Sequence, residues 1–278
     1  MLRVMTALIP QSRRHAAGAA SARGLLFTVL GEFVLPAGGS AWTRAFIEVF
    51  GRLGVEEKAI RQALARTGTD GWIGPERHGR RTRWRLTADG DRLLTEGTER
   101  IYAFTGSQPG WDGTWLLVLA RVPDSDRAAR QHLRTRLSWA GLGSPVPGLF
   151  ITSYVERIAE VESVLTEAGV ADRQIFVAEH RGDGELASLV KQAWNLPAIE
   201  QGYETFCSEF ASAATSDPLT SLIELVHAWR RFPSVDPGLP PSLLPARWIG
   251  TRAASLFAAR HAAWSAAAAE QWFSLNQV

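Results

Sequence analysis

The stretch Val55–Leu86, VEEKAIRQALARTGTDGWIGPERHGRRTRWRL, decides the fold, because a short helical pattern runs directly into an arginine-loaded, two-stranded one. From Glu57 to Arg66 the apolar Ile60, Ala63 and Leu64 recur at helical spacing, which turns Lys58, Arg61, Gln62 and Arg66 outward. Gly68 to Gly71 break the helix. Trp72 and Ile73 then open a strand, His78-Gly79 supplies a turn, and Arg81 to Leu86 alternates. Period two puts Arg81, Arg83 and Arg85 on one face and Thr82, Trp84 and Leu86 on the other. A hairpin that is apolar beneath and cationic above can rest on a core and still hold a phosphate backbone. The pattern reads as a recognition helix followed by a wing.

An ordinary solvated face is the competing account of these arginines. It is the weaker one, since Arg77, Arg80, Arg81, Arg83 and Arg85 fall in nine residues with only Glu76 against them. Upstream, Leu25, Leu26, Val29, Leu30 and Phe33 recur at helical spacing behind Ser21 as cap, and Trp42 to Phe50 gives a second helix with Trp42, Phe46, Val49 and Phe50 on one side. Three helices and a hairpin complete a winged helix over residues 21–105. The DNA-contacting set expected of it is Trp42, Arg44, Lys58, Arg61, Gln62, Arg66, Arg77, His78, Arg80, Arg81 and Arg83.

Composition bounds the rest. A chain of 278 residues, 46% hydrophobic and 9% aromatic, supports two or three packed domains. With a net charge of +2, nucleic-acid affinity has to come from a local patch. The single Cys207 excludes an internal disulfide and six scattered histidines give no metal-ligand spacing with it, so neither metal nor cofactor is expected. A cytoplasmic protein fits, and no apolar run reaches the length of a membrane span. Residues 1–20 carry Arg13-Arg14 before an alanine-rich stretch; Arg23 interrupts the export-signal pattern, which leaves a flexible arm.

Gly106 to Gly110 reads as a linker, and residues 106–182 as a second domain. Trp115–Val122, Leu149–Ser153 and Gln174–His180 read as strands, with helices at Asp126–Ala140 and Glu156–Ala168 and room for a short strand near Leu142. That order suggests a ferredoxin-like sandwich. Residues 183–278 are helical in pattern, with an aromatic seam at Tyr203, Phe206 and Phe210 and an Asp217-Pro218 helix start. There His227-Ala228-Trp229-Arg230-Arg231 runs into a proline-braced loop at 232–245. Arginines beside tryptophan could hold the phosphates and aromatic acyl group of a coenzyme A thioester, or could anchor the loop to Asp236. The tentative effector set is Trp229, Arg230, Arg231 and Asp236.

Three coincidences carry less. Gly182 to Ala187 matches G-x-G-x-x-A, but no second strand or ribose-binding acid follows, so a glycine turn is favoured. Arg127, Arg130 and Arg134 make a cationic stripe whose default is a solvated face. Glu179-His180 with Asp183 has no nucleophile motif nearby.

Taken together, SARGLLFTVLGEFVLP at residues 21–36, KAIRQALAR at 58–66, GRRTRWRLTADG at 79–90 and WRRFPSVDPGLPPSLLPARWIG at 229–250 resemble the PaaX family of bacterial transcriptional regulators. Glu56 departs from the serine cap common there, and Thr67 from a leucine. The resemblance implies a homodimeric repressor of double-stranded operator DNA, released by an effector such as an aryl-acyl coenzyme A thioester. It also relates the middle domain to a small CRISPR-associated ferredoxin-like nuclease, whose aspartate at the end of the first strand is replaced here by Ala120-Arg121-Val122. The expected fold is α+β: a winged helix-turn-helix, a ferredoxin-like sandwich joining subunits, and a helical C-terminal domain. A metal-dependent nuclease is the alternative from another class.

Overall fold

The computed structural model describes residues 21–106, 110–123, 125–181 and 185–277. The expected arm with Arg13-Arg14, the centre of the 106–110 linker, Asp124 and Gly182-Asp183-Gly184 lie outside them. The fold mixes helices with two antiparallel sheets and divides into two compact units.

Unit 1 holds the chain up to Ala103 together with Glu209–Arg230 and Leu256–Val278. Its first helix, α1 (Ala22–Val29), is capped by Ser21, whose hydroxyl accepts from Gly24 N at 3.1 Å. It continues through a π turn, Leu30–Val34, that the spacing does not announce. Helices α2 (Thr43–Arg52) and α3 (Glu57–Thr69) follow, then strands β2 (Ile73–His78) and β3 (Arg81–Leu86) and helix α4 (Ala88–Ala103). Phe46, Phe50, Ile60, Leu64 and Leu93 are fully buried, each contributing about 2 kcal/mol.

One element corrects the sequence reading. Trp42 does not begin a helix; with Ser40 and Ala41 it forms a strand, β1, that joins the hairpin in the order β1-β3-β2. Gly38 and Gly39 take φ of 87° and 73°, which folds the chain back so that Leu86 N donates to Gly39 O at 2.7 Å. A further close approach sits where α4 leaves the hairpin: a Cβ on Gly90 would lie 2.0 Å from Trp72 O.

Unit 1 is completed by α9 (Pro218–Trp229) and by α11 (Gly250–Leu275) from Leu256 onward. Asp217 caps α9 with Pro218 at its first turn, as expected. Trp272 packs against Phe33 and Phe46 at centroid distances of 5.6 and 5.7 Å. Asn276 Oδ1 accepts from Trp42 N at 2.9 Å.

Unit 2 holds Phe104–Ser208 and Arg231–Ser255. Strands β4 (Thr114–Ala120), β5 (Gly143–Val146), β6 (Leu149–Thr152) and β7 (Arg173–Glu179) pair in the order β5-β6-β4-β7, with α5 (Arg127–Trp139) and α6 (Ile158–Glu167) as crossovers. This is the split β-α-β order of a ferredoxin-like sandwich. Buried Arg136 on α5 reaches Glu167 on α6 at 2.6 Å, and this hydrogen bond holds the Glu167 carboxyl below its usual range. Helices α7 (Leu186–Ala193) and α8 (Leu196–Glu209) and the single turn α10 (Phe232–Val235) complete the unit. Residues 183–278, expected as one helical domain, are therefore divided between the units, and so is the aromatic seam, with Tyr203 and Phe206 in unit 2 and Phe210 in unit 1. Among the described residues no helix is long and apolar enough to cross a membrane.

Candidate nucleic-acid interface

Helix α3 begins without a side-chain cap at Glu56, and the acid at Glu57 supplies the favourable charge in its first turn. Ile60, Ala63, Leu64 and Thr67 are buried, while Lys58, Arg61, Gln62 and Arg66 face solvent, as their spacing requires. Thr67 sits where a leucine would fill the core, and its hydroxyl has no hydrogen-bond partner among the described residues. The hairpin is fixed to this helix by Trp84. Gly68 leaves room for the indole, since a Cβ there would stand 3.1 Å from Trp84 Cζ3. Trp84 Nε1 donates to Thr43 Oγ1 at 3.1 Å, and Thr43 Oγ1 donates to Thr82 O at 2.9 Å. One tryptophan thus ties the start of α2, the end of α3 and the central strand together.

The hairpin turns through Gly79-Arg80, with His78 opposite Arg81 and Gly79 at φ 60°. Arg77, His78, Arg80 and Arg81 are exposed around this tip. No side-chain hydrogen bond or ion pair among the described residues engages Arg77, Arg80, Arg81, Arg44, Lys58 or Arg66. Lower on the same face the charges are partly spent. Arg85 donates to Glu76 at 2.6 Å, and this bond holds the exposed Glu76 carboxyl below its usual range. Arg83 lies over the Trp42 ring at 5.7 Å with its Nε buried and unpartnered, and the Trp42 ring meets His78 edge-on at 5.3 Å. Trp42 is therefore placed with the hairpin and not with a helix face. Arg61 is paired with Glu57 at 2.6 Å, and Lys58, Arg61, Gln62 and Ala65 surround a shallow depression on the exposed side of α3. Every expected DNA-contacting residue lies in unit 1.

The expected effector set is not brought together. Trp229 is fully buried, stacked on Phe257 at 4.8 Å, and donates to Ile101 O at 3.2 Å. Arg230 turns inward onto α1, donating to Gly24 O at 2.8 Å and Thr28 Oγ1 at 3.1 Å, and burial lowers its pKa to about 10. Arg231 belongs to the other unit. It reaches Gly202 O at 3.4 Å and lies over the Phe232 ring at 4.9 Å. Asp236, 3% exposed, accepts from Tyr203 Oη at 2.6 Å and from Gly238 N at 2.7 Å, so tyrosine and backbone hold it, in place of the arginine anchor that was one of the two alternatives. Burial pushes its carboxyl up to about 6 against the pull of those two bonds.

Three family descriptions match in sequence order: PaaX-like protein over residues 21–90, PaaX protein central Cas2-like domain over 108–190, and PaaX-like protein C-terminal domain over 194–274. The transcriptional repressor PaaX of Escherichia coli (strain K12) is 33% identical over 262 residues, covering 87% of this chain and 81% of that one. The chain belongs to the PaaX family. An uncharacterized protein, Rv0674 from Mycobacterium tuberculosis, shares the fold, with a TM-score of 0.60 at 23% identity over 92% of this chain and 99% of that one. Within the PaaX-type central domain, Arg121 follows the last residue of β4 and pairs with Asp172 at 3.5 Å. Among the described residues no group of three His, Cys, Asp or Glu side chains could hold a metal ion.

Proposed function

We propose that this protein is a DNA-binding transcriptional repressor that holds double-stranded operator DNA through a winged helix in unit 1. The observation that carries the reading is the convergence, on one compact unit, of the exposed face of α3 with a hairpin tip whose arginine side chains have no partner among the described residues. Helix α2, the short turn through Gly54 at φ 72° and α3 make a helix-turn-helix, and α3 enters the major groove. Arg61 and Gln62 read base edges there, with Arg61 leaving Glu57 for the DNA, while Lys58, Arg66, Arg77, Arg80 and Arg81 meet phosphates. Trp42 and Arg83 form the base of the wing. The similarity to the E. coli transcriptional repressor PaaX supports the repressor reading.

The protein acts as a homodimer in the cytoplasm, where operator DNA lies, because one winged helix needs a second half-site for useful specificity. The unpaired edge of β7, with Phe176 48% and Val177 54% exposed and Leu119 46% exposed on the sheet, supports a second copy as occupant. A small effector, of the aryl-acyl coenzyme A thioester class by resemblance, releases the DNA by favouring one conformation. Fluorescence anisotropy with labelled operator tests the whole reading. Binding should weaken with salt, and sedimentation of the complex should give two chains per site; salt-independent binding, or cleavage of the DNA with a divalent metal, overturns it.

A further inference from the structure

A cleft of about 420 Å³ opens in unit 2 between α5, β5, the α7–α8 junction and α10. Its charge is one-sided. Arg134 and Arg231 line it, and no aspartate or glutamate among the described residues does. The Arg134 side chain has no hydrogen bond or ion pair among the described residues, and the one hydrogen bond of the Arg231 side chain among them is the long contact to Gly202 O. Two guanidinium groups beside apolar walls, with no carboxylate to answer them, favour an anion.

The walls are rigid and flat. Trp194 stacks on Trp115 at 6.4 Å and 26°, and Gly143 makes room for it, since a Cβ there would lie 2.4 Å from Trp194 Cε2. Phe232 stacks on Tyr203 at 4.0 Å and 14°, and Tyr203 is itself held by Asp236. Phe150 closes the floor. The volume falls within the range of small-molecule sites, and walls held by stacking need no ordering on binding.

We propose that this cleft binds an amphiphilic anion, a single carboxylate or phosphate carried on a flat apolar body, with Arg134 and Arg231 gripping the headgroup and Trp194, Phe232 and Phe150 enclosing the body. Guanidinium suits both headgroups, so the experiment separates them. The site shares Arg231 with the effector reading above and does not depend on it, because binding is measured without DNA.

Isothermal titration of the full chain, in chloride buffer free of phosphate and carboxylate, uses 4-phenylbutyrate, phenyl phosphate and the neutral 4-phenylbutyramide. At least one anion binds with one site per chain, and its headgroup identifies the natural class. The amide binds at least about tenfold more weakly, the scale of one charge-assisted contact. Arg134→Gln and Arg231→Gln each lose about tenfold in affinity at unchanged melting temperature, by the same reasoning. Ala198→Trp, filling the cleft from an exposed position, abolishes binding, while Arg127→Gln, on α5 outside the cleft, leaves it unchanged. The proposal is overturned if neither anion binds, if the amide binds equally well, or if Arg127→Gln loses as much as Arg134→Gln. Operator binding by a chain whose cleft takes no anion sinks the site alone; anion binding by a chain that ignores operator sinks the repressor reading alone.

Discussion

Arg80-Arg81 at the hairpin tip and Arg230-Arg231 at the end of α9 are both adjacent arginine pairs close to tryptophan, and they come to opposite ends. The first pair stands in solvent, its side chains without a partner among the described residues. In the second, Arg230 gives its hydrogen bonds to Gly24 O and Thr28 Oγ1, and Arg231 leans over Phe232 at the mouth of a cleft. The difference lies in the backbone nearby. The first turn of α1 presents Gly24 O to a side chain arriving from α9, whereas no carbonyl among the described residues accepts from the side chain of Arg80 or Arg81. A cation with such an acceptor becomes part of the scaffold, and one without it stays available to a ligand.

The sharpest way to break this contrast is to truncate both kinds. Arg230→Ala should destabilise the protein by about 2–3 kcal/mol, from lost charge-assisted bonds and packing, against less than about 0.5 kcal/mol for Arg81→Ala. Urea unfolding of both variants measures it, and equal losses would erase the distinction. Carboxylates extend the comparison. Asp236 is buried and pushed up to about 6 from 3.8, while Glu76 is exposed and shifted down. The unfolded chain gives up the Asp236 proton near pH 4 and the folded chain retains it to about pH 6. Folding therefore carries an extra proton in that window, and stability falls as pH rises across it, by up to about 3 kcal/mol. Asp236→Asn should flatten that slope in unfolding curves taken at successive pH values; a slope identical to wild type would show that the burial does not matter.

The two remaining effects are smaller and lie on the DNA side. Arg61→Ala or Gln62→Ala should cost about 1–3 kcal/mol on operator and little on random DNA, as loss of base contacts does. Equal losses on both would move α3 out of the groove. Each of Arg77, Arg80 and Arg81 changed to alanine should lower the salt slope by about one, weakening all sequences alike. Arg85→Ala, already engaged by Glu76, should leave that slope nearly unchanged. A slope change as large as that of Arg81 would mean that internal pairing is no guide to DNA contact.

What the chain discloses before folding follows the same division. The helix at 57–69 and the hairpin were legible because apolar spacing and a glycine turn are local signals. The strand order of the central sheet was legible up to the short β5 at Gly143–Val146, whose bulged pairing leaves little periodicity. Strand β1 was not legible: three residues carry no period, and what makes Ser40–Trp42 a strand is its partner 43 residues later, Arg85 opposite Ser40 reaching to Arg83 opposite Trp42. The expected DNA-contacting residues came from composition on exposed faces and fall in one unit. The expected effector residues scattered because the WRR motif is split by a boundary between units, and nothing in the residues themselves says which carbonyl will receive Arg230.

That boundary has a consequence for how the molecule is made. The unit that carries the hairpin draws on residues near both ends of the chain: Trp42 N is held by Asn276, Phe33 and Phe46 pack on Trp272, and α1 receives Arg230. As synthesis proceeds from the N-terminus, α3 and the hairpin leave the ribosome long before the residues that seat them, so the nascent chain has to wait for nearly two hundred more residues before this unit closes on a finished core. A premature stop between Leu86 and Trp272 thus yields a chain whose hairpin arginines are all present and whose scaffold is not, a fragment with an unfinished core that is prone to aggregate.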